Sequence, residues 1–181
     1  MRSVVVCESW FGNTRQVAQA IADQLARHGE ARVVSVTDDL DYLEGLDLLV
    51  VGAPTHVHGM SSATSRRSAI EQASETGERE PGPGVRGWLQ ELPRAEGCAA
   101  AAFDTRLEKS VLLVGSAAKG IAKRLGRRGF ELVAPAESFF VLDTGGPLDD
   151  GELARAAAWA ETLAEAVPAT AARALSGASA G

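Results

Sequence analysis

Glu8-Ser9-Trp10-Phe11-Gly12-Asn13-Thr14-Arg15 decides how this chain folds. Ahead of it runs an apolar segment, Ser3 to Cys7 (SVVVC). Behind it Val17, Ala18, Ile21, Ala22 and Leu25 recur at spacings of three and four, a helical pattern over residues 14–28 that Gly29 stops. A buried strand therefore ends, turns through hydroxyl- and glycine-bearing residues, and enters a helix. Such a turn aims main-chain N–H groups and hydroxyls at one point, which lets a helix start hold a phosphate without a basic residue.

The same alternation continues along the chain. Residues 31–36 (ARVVSV), 47–52 (DLLVVG) and 97–103 (GCAAAAF) read as further apolar strands. A fifth lies within residues 130–141, split at Pro135, with Ser138 to Val141 as its core. Helical patterns fill residues 116–128 and 149–166, whereas residues 111–115 fit a helix start or a short strand equally well. Strands that are apolar throughout, alternating with helices, predict a parallel sheet covered on both faces. The expectation is an α/β fold: a single doubly wound five-stranded parallel sheet with strand order 2-1-3-4-5. Its ligand crevice should lie outside the carboxyl ends of the strands. One domain should span residues 1–167. Residues 73–84, rich in Gly and Pro, read as a surface loop, and residues 168–181 as a flexible low-complexity tail.

Bulk properties narrow the function. A net charge of −6 argues against a general nucleic-acid or anionic-membrane binder. The cluster Lys119, Lys123, Arg124, Arg127 and Arg128 reads as the solvated face and last turn of a helix. Two cysteines without a CxxC, and no secretory or membrane segment at the start, lead to a cytoplasmic protein with buried thiols. His56 and His58, with only His28 elsewhere, are too few for a metal site. GxxxxGK[ST] is absent, no GxGxxG follows the first strand, and the sole GxSxG, Gly177 to Gly181, lies in the low-complexity tail. The third strand ends in Gly52-Ala53-Pro54, where a phosphoacceptor domain would need an aspartate.

Three loops should meet at the crevice. They are the one opening on Ser9, then Pro54-Thr55-His56-Val57-His58-Gly59 after strand three, and Phe103-Asp104-Thr105-Arg106 after strand four. Each mixes rings or imidazoles with hydroxyls and small residues, as a planar heterocycle with a phosphate tail requires.

Here the chain resembles the flavodoxin family, whose phosphate loop runs Ser/Thr-x-Thr-Gly-Asn-Thr directly after the first strand. SWFGNT stands in that place, with Phe11 where the family has its middle Thr. Pro54-Thr55-His56 stands where the family has Thr followed by an aromatic, and the element order agrees from residue 1 to about 166. The resemblance implies non-covalent FMN. Ser9, Gly12, Asn13 and Thr14 would hold its phosphate, with Trp10 and Phe11 presenting backbone amides. Thr55, His56, Val57, His58 and Gly59 would lie along the isoalloxazine. Asp104, Thr105 and Arg106 would border its pyrimidine edge, or the phosphate and ribityl. The residues equally allow Asp104 and Arg106 to pair at the surface. The family's flanking Trp and Tyr are missing, since the only tyrosine is Tyr42. An acidic surround would disfavour the fully reduced anion.

The implied role is electron transfer with a redox partner protein or a small-molecule acceptor, in a monomer or homodimer. Two alternatives stay open: an NAD(P)H-dependent FMN or quinone reductase, and a module of this fold without flavin. No residue stands out as a general acid or base.

Overall fold

A computed structural model describes residues 1–38, 43–56, 59–61, 84–95, 97–108, 115–143 and 145–167. The apolar run after Met1 forms β1 (Arg2–Cys7), and the decisive loop leads into α1 (Asn13–Leu25). A short 3-10 turn over Ala26–His28 continues it to Gly29. Then follow β2 (Glu30–Ser35), β3 (Leu48–Pro54), α2 (Gly84–Glu91) and β4 (Ala99–Leu107). The chain closes with α3 (Ala117–Arg127), β5 (Glu131–Leu132), β6 (Glu137–Val141) and α4 (Glu152–Ala166).

All the strand pairings are parallel, in the order β2-β1-β3-β4-β5. The doubly wound sheet and its order are those expected. The fifth position is shared by two segments. β5 pairs with Ala99 and Ala100, and β6 pairs with Phe103 to Leu107. The break between them contains Pro135, which has no N–H to give a ladder.

Alternation along the strands builds two cores. Val4, Val6, Leu49, Val51, Ala100 and Ala102 face α2 and α3, where Trp88, Leu89, Ile121 and Leu125 are buried. Val5, Leu48, Val50, Ala101 and Phe103 face α1 and α4, against Ile21, Leu25, Ala160 and Leu163. On that second face Phe103, Phe139 and Trp159 meet edge to face, with centroids 6.0–6.4 Å apart. Gly52 is the register partner of Phe103. A Cβ there would sit 2.0 Å from the ring, so only glycine leaves room for it.

β4 runs further than its apolar stretch predicted. Asp104, Thr105 and Arg106, expected in a loop, continue the strand, because Ala53 and Pro54 on one side and β6 on the other extend the ladder past Phe103. Residues 111–114, most of the 73–84 loop and the 168–181 tail lie outside the described residues. Among the described residues no helix is long and apolar enough to cross a membrane.

Candidate functional site

The carboxyl ends of β1, β3 and β4 converge on a cleft open to solvent. Trp10, Phe11, Asn13 and Thr14 line it from the first loop. Pro54, Thr55 and His56 come from the end of β3, and Thr105, Arg106 and Leu107 from β4. Val141 and Gly145 complete the lining from the end of β6 and the turn after it.

The first loop is held by few bonds of its own. Gly12 takes a left-handed conformation (φ 86°) at the start of α1, and no side chain caps that helix. The Gln16 amide donates to the Gly12 carbonyl (2.9 Å) and the Arg15 amide to Ser9 Oγ (3.3 Å). The amides of Ser9, Trp10, Phe11, Gly12, Asn13 and Thr14 find no acceptor among the described residues. Asn13 and Thr14 are nevertheless buried, where an unpaired amide is costly. Six consecutive amides without a partner among the described residues thus stand at or just before a helix start, where the macrodipole's positive end lies. Side chains brace the loop from the far wall. Asn13 Nδ2 donates to the Gly146 carbonyl, and the buried hydroxyls of Thr14 and Thr105 share a hydrogen bond of 2.8 Å.

Two acids fasten the cleft from behind. Glu8 is 3% exposed, and its carboxylate accepts from Trp10 Nε1 (2.9 Å), Ser61 Oγ and the Val85 amide (2.8 Å). It thereby ties the Trp10 ring to the first turn of α2. Asp104 is fully buried. Its Oδ2 accepts from Thr55 Oγ1 (2.9 Å), Ser116 Oγ (2.7 Å) and the Ala118 amide (2.9 Å). Thr55 Oγ1 in turn accepts from the Ala117 amide (2.9 Å), so this hydroxyl is spent on the scaffold. Asp104 does not pair with Arg106 at the surface. The period of two turns its carboxylate toward α3, while Arg106 lies over the Phe140 ring (5.1 Å) and donates to Ser138 Oγ (3.2 Å).

His56 and Gly59 exchange main-chain hydrogen bonds of 2.8 and 2.9 Å, and Val57 and His58 lie outside the described residues. Burial pushes the His56 imidazole below its ordinary 6.5, against the opposing pull of the Glu8 charge, so the ring is neutral at pH 7. Its Nε2 is buried and without a partner among the described residues.

Of the residues expected here, the structure brings Trp10, Phe11, Asn13, Thr14, Pro54, Thr55, His56, Thr105 and Arg106 into the lining. Ser9 and Gly12 shape the loop, Gly59 pairs with the His56 main chain, and Asp104 stands behind the wall. Phe103 is a core residue, because alternation turns it toward α4. Trp10, expected to offer only its amide, also offers its ring, so the aromatic supply is larger than the loops suggested. Among the described lining residues Arg106 is the one charged side chain. Glu8, Leu107, Val141 and Gly145 were not foreseen. For Glu8 a signal existed, a lone carboxylate directly after an apolar strand.

The fold and its cleft define an open doubly wound α/β domain with a ligand site at the switch point of the sheet. The family model for flavodoxins matches residues 5–159, and the chain belongs to the flavodoxin family. No curated protein matches this sequence. Among solved structures, a flavodoxin from the domain Archaea is 21% identical with a TM-score of 0.64, covering 92% of this chain and 99% of that one. Flavodoxin 1 from Bacillus cereus is 16% identical with a TM-score of 0.64, covering 91% and 98%. A flavodoxin, WrbA-like protein from Agrobacterium tumefaciens is 17% identical with a TM-score of 0.55, covering 92% and 96%. At these identities the likeness establishes the fold.

Proposed function

We propose that the cleft binds FMN non-covalently and that the protein transfers electrons between redox partners. The observation that carries this reading is the run of amides from Ser9 to Thr14 that have no acceptor among the described residues, two of them on buried residues. A phosphate dianion supplies what those donors lack. Family membership supports the same ligand.

The residues fit such a group. The hydroxyls of Ser9 and Thr14 stand beside the amides. Thr105 can donate to Thr14 and leave the Thr14 proton free for a phosphate oxygen. Phe11 brings no hydroxyl, so main-chain donors carry that position. Trp10 and His56 are among the residues lining the cleft, and the Glu8 bond fixes the Trp10 ring. FMN, when bound, supplies the reversible uptake of electrons. The chain's own residues anchor, orient and shield it. A redox protein or a small acceptor would exchange electrons at the open side of the cleft.

Titration of the apoprotein with FMN and with riboflavin, followed by flavin absorbance and fluorescence, tests this. Two charge-assisted bonds at about 1.5 kcal/mol each make FMN roughly a hundredfold tighter. Equal affinities would mean that the loop is no anion site.

A further inference from the structure

The cations of the 109–130 stretch have no role in the cleft chemistry. Six of the chain's eighteen Lys and Arg residues fall there, and none of its twenty-four acids. The remaining residues therefore carry −12 against the +6 of this stretch. In the structure Lys119, Lys123 and Arg127 repeat every fourth residue along the exposed side of α3. Arg124 stands beside them, and Arg86 of α2 lies within electrostatic range of it. Burial and then the charges of Arg86 and Arg127 lower the Arg124 pKa, which is what crowded like charges do. Among the described residues none of these five cations makes an ion pair with a carboxylate.

A merely solvated helix would alternate signs at a spacing of four, since like charges there repel. Lys119–Lys123 and Lys123–Arg127 are both like pairs. The last turn of a helix favours cations, which accounts for Arg124 and Arg127 but not for Lys119 in the first turn.

We propose that the exposed face of α3, with Arg86 of α2, is a docking surface for an acidic face of a partner protein. The stretch from Lys119 to Arg127 is about 12 Å long at 1.5 Å per residue. Duplex DNA, with a charge about every 1.7 Å, would overrun it onto the acidic remainder of the molecule. A protein face with its carboxylates confined to a similar area matches the patch and avoids that repulsion. The helix bearing the patch starts beside the cleft, because the Ala117 amide donates to Thr55, which lines it. A partner seated here therefore sits near the Thr55 wall of the cleft.

The test uses the full chain, isotope-labelled for NMR, with a short oligo-glutamate peptide as the acidic probe and a short DNA duplex as the competing polyanion. The peptide should shift the amide signals of residues 119–127 and 86, and a fourfold rise in salt should weaken it about twentyfold, as for three contacts to a flexible polyanion. Lys119→Gln/Lys123→Gln should lose most of that binding, while Arg27→Gln/Arg173→Gln, with the same change in net charge, should keep it. Shifts spread over other cations, or equal loss in both double variants, would overturn the proposal. Duplex DNA binding more tightly than the peptide would also overturn it and mark a nucleic-acid surface instead.

Discussion

Thr14 separates the fold from the ligand site more cleanly than any other residue. Thr14→Val keeps the shape of the side chain and removes its hydroxyl. Thr105 Oγ1, 5% exposed at the residue level, then loses its partner 2.8 Å away. An unsatisfied buried hydroxyl costs about 1–3 kcal/mol, so the single variant should unfold at lower urea. Adding Thr105→Val removes both partners together, which is close to neutral when shape is kept, and most of the stability should return. The FMN phosphate responds differently. It loses the Thr14 donor in both variants, and at about 1.5–3 kcal/mol for a bond to a charged group FMN should weaken about 10- to 150-fold in each. Riboflavin affinity should stay the same. Urea titration and parallel flavin titrations of the three proteins read all of this. If the double variant regained FMN affinity along with stability, Thr14 would be a structural residue and the phosphate assignment would fail.

Three further outcomes follow from other parts of the molecule. Asp104→Ala removes three hydrogen bonds to one buried carboxylate oxygen, and the urea midpoint should report a loss of about 3 kcal/mol or more; under 1 kcal/mol would mean the α3 start does not depend on it. Burial pushes the thiols of Cys7 and Cys98 up to about 11, so at pH 8 neither should react with a disulfide reagent until the protein unfolds. Burial raises the Glu152 pKa, but hydrogen bonds from Arg155 and the Phe140 amide, with the Arg155 charge, outweigh it and hold the group below 4.5. The unfolded chain then binds more protons, so this stabilisation is full above pH 4.5 and is lost as the pH falls through the lower folded value. The stability gap between the wild type and Glu152→Gln should accordingly narrow in acid; a gap constant from pH 7 to pH 3 would refute it.

The sheet was legible because its strands are apolar on both faces, a pattern that only a doubly covered parallel sheet satisfies. Even β4, four alanines with little preference for strands, was found by its unbroken apolar run, and tertiary burial overrode the propensity of Ala99 to Ala102. The first loop was legible because Gly12, Asn13 and Thr14 stand where a strand must become a helix. Less of the cleft's far side could be read. Val141 and Gly145 enter through the pairing of β6 with β4, a contact between residues more than thirty apart in sequence that no local pattern encodes.

The two acids show what decides between scaffold and ligand. Glu8 and Asp104 both follow the apolar part of a strand and both end at the rim of the cleft, so by sequence either could point at a ligand. Each is drawn instead to a helix start on the same face of the sheet: Glu8 to the Val85 amide of α2, Asp104 to the Ala118 amide of α3. Those amides are orphaned by helix geometry, and a buried carboxylate within reach satisfies them while gaining its own partners. α1 has no such acid at its start, and no side chain caps it. The sheet thus neutralises the starts of α2 and α3 with its own carboxylates, and the uncapped start of α1 is the one we propose for the FMN phosphate.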